Sequence, residues 1–257
     1  MVDKAEIVVA MPVFNEAEGI REFLEEIASN FYPIKIAFVV VDDASTDLTQ
    51  SQLENFMQNG NTQMRVIKNS NNLGHGPSTI KAIDNAISLG SPYVMTVDGD
   101  GQFKGSEMRQ MYDFQVKNNY LVVEGLRTNR NEPVFRKITS MCTRLLVFMR
   151  SHKLPQDANT PLRVYETDRL LQIRKELGSD FLTPNLHISQ CIRSKFFDYQ
   201  YGTFNVQSLP RRGSVKTGTM WRSKRQRLPS KRFLQFMIKA TRQWIATSKF
   251  FGLHSQN

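Results

Sequence analysis

Two aspartates stand where an apolar run of the sequence stops. In VMTVDGDGQF (94–103), Asp98 and Asp100 are two residues apart, and each is followed by glycine. An Asp-Gly pair alone favours a hairpin turn. An EF-hand calcium loop would require glycine and glutamate where the sequence has Phe103 and Arg109, so this kind of calcium site is excluded.

Oxygen ligands at this spacing suit a hard divalent cation that carries a phosphate. Magnesium in proteins usually takes one or two carboxylates and completes its shell with substrate phosphates and water. Asp98, Asp100 and the amide oxygen of Gln102 are candidates for such a partial shell. A divalent cation that carries a phosphate, such as Mg²⁺, and a simple turn therefore both remain open for this loop.

The surrounding sequence alternates between short apolar runs and helical patterns. The runs predict strands at 6–11, 36–41, 64–68, 93–97 and 120–125. Helices are predicted over 17–30, 46–59, 78–89 and 106–118, the first with Asn15 and Glu18 as its N-terminal cap. Strands and helices that alternate in this way form βαβ units. We therefore predict an α/β fold with a mostly parallel sheet and helices on both faces.

Polar side chains follow three of these predicted strands. They occupy the segment from Pro12 to Glu16, the pair Asp42 and Asp43, and the 98–102 loop. Ligands of open α/β sheets bind beyond the carboxyl ends of the strands. The pattern therefore predicts that three acidic loops converge on one ligand site.

The second half of the chain has a different organisation. Its pattern predicts helices over 133–152, 167–177 and 184–195, strands over 162–166 and 202–209, and a last helix over 233–251. That last helix is basic and amphipathic, with aromatic residues near one face. Such a helix either packs on the domain or lies at a membrane interface. The four histidines, His75, His152, His187 and His254, have no metal-ligand spacing, and we assign none of them a role.

Composition and charge limit the possible functions. The 257 residues are enough for one large core, and Cys142 and Cys191 have no metal spacing, which fits a reducing compartment. We expect neither a signal peptide nor a membrane-spanning run. Residues 1–198 carry 22 Lys and Arg against 24 Asp and Glu, whereas 199–257 carry 12 Lys and Arg and no acid. This asymmetry predicts a polyanion or an anionic membrane surface as partner.

Four segments in order carry a family resemblance: AMPVFNEAEGI, VVVDDASTDLT, NNLGHGPSTIKAIDNAI and VDGDGQF. They resemble the nucleotide-sugar domain of glycosyltransferase family 2, which has the GT-A fold, over about the first 125 residues. The resemblance implies inverting transfer of a sugar from a nucleotide-diphosphate donor. It implies that the nucleotide lies against Pro12, Phe14, Asn15, Glu16 and Gly74 and that Asp42 or Asp43 contacts its base or ribose. It places Asp98 and Asp100 in the metal motif.

Later segments narrow the resemblance to dolichol-phosphate mannose synthases and bacterial polyprenyl-phosphate glycosyltransferases. DGDGQ resembles their DADLQ motif, in which the glutamine joins the metal site. EGLRTNR places Arg127 where that subfamily has an arginine after its fifth strand. FRKITS matches an RKxxS element, and PRRGSVKTG resembles a stretch that contacts the acceptor phosphate, although its serine comes one place early. The residues implied at the acceptor phosphate are Arg136, Ser140, Arg211 and Lys216, with Arg127 in a catalytic position.

The distribution of acids agrees with a phosphate acceptor. A sugar hydroxyl needs a general base, whereas GSDFLTPNLH contains Asp180 but no acidic pair. A phosphate is already an anionic nucleophile and needs cations to hold it. We therefore expect transfer to a polyprenyl phosphate by an enzyme that lies peripherally on the cytoplasmic face of a membrane, and we expect no nucleic-acid partner.

Two other functions remain open. One is a family 2 enzyme that acts on a saccharide acceptor in capsule or lipopolysaccharide synthesis, and the other is a non-catalytic module that binds polyanions. We predict a glycosyltransferase domain over 1–208, with a nucleotide-sugar half (1–125) and an acceptor half (126–208). A basic loop and a helix follow over 209–257.

Overall fold

Seven strands form the sheet that carries these loops. The computed structural model describes residues 4–59, 62–128, 134–196, 198–213 and 231–251. The strands are β1 (Ile7–Val13), β2 (Ile36–Asp42), β3 (Gln63–Lys68), β4 (Tyr93–Thr96), β5 (Val122–Thr128), β6 (Arg163–Glu166) and β7 (Tyr201–Gln207). They lie in the order β3-β2-β1-β4-β6-β5-β7. β6 is antiparallel to both of its neighbours, and the other pairings of these strands are parallel.

The predicted α/β fold with a mostly parallel sheet is confirmed. Every residue of β1 and β2 is buried, as is typical of parallel strands whose two faces are both covered by helices. The helices are α1 (Ile20–Phe31), α2 (Thr49–Asn59), α3 (His75–Ser88), α4 (Gly105–Asn118), α5 (Val134–Ser151), α6 (Thr167–Arg174), α7 (Pro184–Lys195) and α8 (Lys231–Phe251). α1, α2 and α4 cover one face of the sheet, and α3, α6 and α7 cover the other.

The predicted cap of the first helix is wrong. α1 begins at Ile20, its cap position is Gly19, and no side chain caps it. Asn15 instead has a backbone φ of 54°, and its side-chain oxygen accepts the Thr46 backbone N–H at 2.8 Å. Asn15 therefore links the first loop to the loop after β2, which a local capping pattern cannot foresee.

The C-terminal helix packs on the second half of the chain. Trp244 of α8 is buried with Val147 of α5 and Leu186 of α7. Gln243 accepts the Leu182 backbone N–H at 2.7 Å and donates to the Asp180 carbonyl at 3.1 Å. Within the ranges that the structure describes, no helix is both long enough and apolar enough to cross a bilayer.

Candidate active site

Three of the polar loops meet at the carboxyl edge of the sheet. Val13 pairs in register with Asp42, and the Gly99 N–H donates to the Pro12 carbonyl at 3.2 Å. The loop that holds Asp98 and Asp100 therefore lies directly against the loop after β1. This convergence follows from the parallel arrangement of β1, β2 and β4.

Asp98 is paired with a histidine. Nε2 of His75 lies 2.8 Å from Oδ1 of Asp98. His75 is the first residue of α3, and it follows Gly74, whose φ of 92° lies in the left-handed region that favours glycine. The sequence-based prediction gives His75 no role. Its position at the start of α3, after β3 and at the edge where the acidic loops lie, could have indicated that it contacts them.

The two aspartates of the loop have opposite pKa shifts. Burial opposes ionisation of Asp98, but the charges of His75 and Arg127 outweigh it and lower the pKa of Asp98. Burial also disfavours protonated His75, yet the Asp98 carboxylate raises the pKa of His75 overall. Burial, followed by the negative charge of Asp98, raises the pKa of Asp100 to about 7. A cation beside both carboxylates would relieve this repulsion.

The donor atoms of this loop fit a divalent cation that is bound together with a phosphate. Groups of three or more His, Cys, Asp or Glu side chains suited to a metal are absent from the described part of the chain. Asp98 and Asp100 supply two carboxylates, so phosphate or water oxygens would have to complete the shell. Gln102 donates its side-chain N–H to the Leu209 carbonyl at 3.0 Å, and its amide oxygen is the atom that would contact the cation.

The loop after β1 is held by the loop after β2. The Asn15 N–H donates to the Ser45 hydroxyl at 3.0 Å, and the Glu16 N–H donates to the Thr49 hydroxyl at 2.8 Å. Pro12 is buried and Phe14 is half-buried. These hydrogen bonds therefore fix the backbone of this loop.

Asp42 and Asp43 have different surroundings. Both oxygens of Asp43 accept backbone N–H groups, from Leu73 at 2.8 Å and from Gly74 at 2.9 Å. Oδ1 of Asp42 accepts the Ser45 N–H at 2.9 Å, whereas its buried Oδ2 has no hydrogen-bond donor among the described residues. An unsatisfied buried oxygen is costly, so Asp42 is the better candidate to contact a ligand.

A guanidinium is fixed at the end of β5. Nε of Arg127 donates to Oδ2 of Asp157 at 2.7 Å, and Nη2 donates to Oδ1 at 3.0 Å. Nη2 also donates to the Asn159 carbonyl at 3.0 Å. The two parallel bonds set the orientation of the guanidinium plane. Because β4 and β5 are both antiparallel to β6, Arg127 lies at the same edge of the sheet as Asp98, and its positive charge helps to lower the pKa of Asp98.

Residues Leu209–Gly213, which we name the crossing segment, lie over this edge. The Leu209 N–H donates to the Gln102 carbonyl at 2.9 Å, and the Arg212 N–H donates to the Asp100 carbonyl at 3.0 Å. Arg211 forms an ion pair with Glu16, in which Nε lies 3.0 Å from Oε2. Burial raises the pKa of Glu16 to about 8, although Arg211 lowers it in part.

Arg212, the second arginine of the crossing segment, forms ion pairs with α1. Its guanidinium pairs with Glu26 and lies 3.4 Å from Glu22. Arg211 and Arg212 therefore have different partners, one in the loop after β1 and one in α1. Neither pair is foreseeable from local sequence patterns.

The remaining predicted residues lie farther along the chain. Ser140 is half-buried on α5, and its carbonyl accepts the Thr143 hydroxyl at 2.9 Å. The side chain of Arg136 and the whole of Lys216 lie outside the described residues. The structure thus brings the residues predicted for the nucleotide and the metal to one edge of the sheet, together with Arg127 and Arg211.

Comparison with known proteins identifies the family. The family model described as Glycosyl transferase family 2 matches residues 8–178. The chain belongs to this family. The family predicted from the four segments and the DGDGQ motif is therefore confirmed.

Two curated proteins resemble this chain over about two thirds of its length. A dodecaprenyl-phosphate galacturonate synthase of Rhizobium johnstonii is 25% identical over 67% of this chain and 51% of its own length. An undecaprenyl-phosphate 4-deoxy-4-formamido-L-arabinose transferase of Pectobacterium carotovorum is 24% identical over 63% of this chain and 49% of its own. The chain spans about half the length of these relatives.

Solved structures share the fold. TarS of S. aureus (residues 1–349) superimposes with a TM-score of 0.58 at 18% identity, covering 79% of this chain and 60% of TarS. Glucosyl-3-phosphoglycerate synthase of Mycobacterium tuberculosis, solved with Mn²⁺, UDP and glucosyl-3-phosphoglycerate, gives 0.60 at 14% identity over 95% of this chain and 78% of that one. The fold is thus of the GT-A type.

Proposed function

We propose that this family 2 member is a metal-dependent, inverting glycosyltransferase that moves a sugar from a nucleotide-diphosphate sugar to a polyprenyl phosphate. The observation that carries the proposal is the fixed guanidinium of Arg127, which lies at the same carboxyl edge of the sheet as the Asp98–Asp100 loop. A carboxylate pair suits the donor diphosphate through a cation, and a guanidinium suits a second phosphate. One edge thus offers a place for both reactants.

The donor would lie along the loops after β1 and β2. Asp42 has an unsatisfied oxygen for a base or ribose group, and Pro12, Phe14, Asn15, Glu16 and Gly74 border the same edge. Asp98, Asp100 and Gln102 would hold Mg²⁺ or Mn²⁺. The chemistry that this cation supplies is neutralisation of charge on the diphosphate leaving group.

The acceptor would lie on the Arg127 side. Asp157 is engaged with Arg127, and Asp180 is exposed in the loop before α7, so neither is placed as a general base. A phosphate acceptor needs no base, because its oxygen is already an anionic nucleophile. Arg127, Arg136, Ser140, Arg211 and Lys216 are the residues that we propose for holding it.

The reaction would be a single displacement. An acceptor phosphate oxygen attacks the anomeric carbon from the side opposite the diphosphate, and the bond between that carbon and the diphosphate oxygen breaks. Attack from the opposite side inverts the anomeric configuration. Arg127 orients the attacking phosphate, and the rigid clamp by Asp157 limits its movement.

The names of the relatives support the lipid acceptor. Dodecaprenyl-phosphate and undecaprenyl-phosphate appear in the names of two relatives that match this chain. The mycobacterial structure with Mn²⁺ and UDP supports a manganese or magnesium cofactor and a uridine nucleotide. We propose a peripheral location at the cytoplasmic face of the membrane and a domain boundary near residue 208.

Radiolabel transfer from nucleotide sugars in the presence of Mn²⁺ tests the proposal. The acceptors are a short-chain polyprenyl phosphate, the matching polyprenol and an oligosaccharide. We expect label on the phosphate alone, about a hundredfold less with Arg127→Gln, and no transfer with Asp100→Asn. Arg127→Gln should still be stabilised thermally by the nucleotide with Mn²⁺. Transfer to the polyprenol or the oligosaccharide would overturn the lipid-phosphate assignment.

A further inference from the structure

An apolar stripe on α5 is exposed to solvent. Its members are Ile138, Met141, Leu145, Phe148 and Met149, which we name the α5 stripe, and their exposed fractions lie between 40% and 63%. Steps of three, four, three and one residues keep all five on one face of a helix. A contiguous exposed apolar face of this kind marks an interaction surface, unlike single exposed residues.

The orientation of the stripe is fixed by the rest of the protein. On the buried side of α5, Val147 packs with Leu186 of α7 and Trp244 of α8. Arg150 stacks over the Trp244 ring, with its guanidinium carbon 4.0 Å from the ring centroid. The helix therefore has one face in the core and the α5 stripe on its other side.

The charge around the α5 stripe indicates which kind of partner it would bind. Neither α5 nor α8 contains an acidic residue, and together their sequences hold nine Lys and Arg residues. Lys137 on α5 and Lys239 and Arg242 on α8 are exposed. An apolar helix face with flanking cations matches an anionic bilayer, in which apolar groups enter the interface and cations remain at the headgroups.

The stripe also lies next to the proposed acceptor site along the chain. α5 is the helix that follows β5, and β5 ends beside Arg127. Ser140, one of the proposed acceptor contacts, directly precedes Met141 of the stripe. A membrane on this face would lie against the helix that carries Ser140, whereas a soluble substrate would not require such a face.

We propose that the α5 stripe is a membrane-docking face that lies in the headgroup region of an anionic bilayer. This inference rests on the proposed function, because a polyprenyl phosphate is presented by a membrane. It differs from docking by the basic C-terminal segment alone, because the apolar contacts come from a helix of the acceptor half.

Vesicle co-sedimentation of the full chain tests this proposal. Vesicles of phosphatidylcholine alone are compared with vesicles of phosphatidylcholine and phosphatidylglycerol. The stripe is changed by Leu145→Gln with Met149→Gln, which removes apolar surface without adding charge. The matched control is Val116→Gln with Leu171→Gln, two exposed apolar residues on α4 and α6. Thermal unfolding checks that both variants fold, as expected for exposed positions.

We expect the unaltered chain to bind the anionic vesicles, the control to bind equally, and the stripe variant to bind at least about tenfold more weakly. Equal binding by the stripe variant and the control would overturn the proposal. Light scattering after gel filtration gives a second test. A dimer of the unaltered chain that becomes a monomer in the stripe variant would assign the face to a second copy and would also overturn it.

Transfer to a water-soluble, short-chain polyprenyl phosphate separates this inference from the proposed function. The stripe variant should retain that transfer fully, while losing transfer to a long-chain acceptor in vesicles. If the unaltered chain uses the soluble acceptor but does not bind vesicles, the docking proposal is wrong and the proposed function stands. If it binds vesicles through the stripe but uses no lipid phosphate, the proposed function fails.

Discussion

Three ion pairs set the electrostatics of individual residues at the site. Asp98 pairs with His75, Arg127 with Asp157, and Arg211 with Glu16. The His75 contact is at Oδ1 of Asp98, so Oδ2 remains for a cation. A hydrogen bond to a metal-binding carboxylate orients it and supports the affinity for metal.

Replacing His75 tests whether it positions Asp98. We expect His75→Leu to weaken Mn²⁺ binding in the presence of the nucleotide by roughly tenfold, the lower end for loss of such a supporting contact. His75→Gln retains an N–H donor and should lose less. Titration calorimetry measures the affinity. Unchanged or tighter Mn²⁺ binding in His75→Leu would contradict this role and would indicate that the ring competes with the cation.

The types of the site residues were predictable, but their partners were not. Asp98 and Asp100 were predicted because two carboxylates at this spacing, directly after an apolar run, suit a loop that binds a cation. Their neighbours come from distant positions: His75 is 23 residues before Asp98, and Arg211 is 195 residues after Glu16. Such pairs depend on strand order and on the path of the crossing segment, which local patterns do not contain.

Among the elements, β5, β6 and α7 are joined by a buried charge network. Glu124 of β5 accepts from Nε of Arg163 at 3.0 Å and from Nη2 of Arg193 at 2.6 Å. The side chains of Glu124 and Arg163 are fully buried, and that of Arg193 is nearly so. Removing one member of a buried pair leaves an uncompensated charge.

We therefore expect Glu124→Gln to lower the free energy of unfolding by about 3–5 kcal/mol. Glu176→Gln is the control, because it breaks the more exposed pair with Lys195 and should cost less than about 1 kcal/mol. Urea denaturation at neutral pH measures both. Similar small losses in the two variants would show that the network does not hold β5, β6 and α7 together.

The packing of α7 against α8 makes stability sensitive to acid. His187 lies between Phe181 and Trp244, with ring centroids 4.2 and 4.6 Å away, and its buried ring nitrogens have no hydrogen-bond partner among the described residues. Burial, and then the charge of Arg150, lowers the pKa of His187 from 6.5 to about 3. Between about pH 3 and pH 6.5, His187 is therefore neutral in the folded protein and protonated in the unfolded chain.

The stability that the neutral His187 ring contributes to the folded state is fully present above pH 6.5. It is lost as the pH falls toward about 3. We expect protonation of His187 in the unfolded chain to lower the free energy of unfolding by up to about 1.4 kcal/mol for each unit by which the pH falls in that window. His187→Phe keeps a ring in the stack and removes the titration, so its stability should fall less steeply. Urea unfolding of both proteins across the window measures the difference. Parallel pH profiles would contradict the assignment.

The existence of the elements was predictable, but the direction of one strand was not. Continuous apolar runs predicted β1 and β2, because only buried central strands are apolar along their whole length. The short β6 carries Arg163, which is fully buried in the structure although arginine is rarely so. β6 lies antiparallel between β4 and β5, and Arg163 joins it to Glu124 of β5.

At the scale of the whole molecule, the residues that we propose for the donor and the acceptor approach one sheet edge from different parts of the chain. The loops proposed for the donor come from residues 12–16, 42–43 and 98–102, and Arg127 and the crossing segment come from the second half. All the acids precede residue 199, and 12 cations follow it. The proposed anionic acceptor would account for Arg127 and Arg211 at this edge, and an anionic partner would account for the basic composition of residues 199–257.

The most direct measurement of the proposed transfer is the structure of the reaction product. The product made from a nucleotide sugar and a short-chain polyprenyl phosphate would be analysed by proton and phosphorus NMR. We expect that the anomeric proton couples to phosphorus and that the anomeric configuration is opposite to that of the donor. Sugar joined to a hydroxyl carbon without coupling to phosphorus, or a product with the donor's configuration, would contradict inverting transfer to a lipid phosphate.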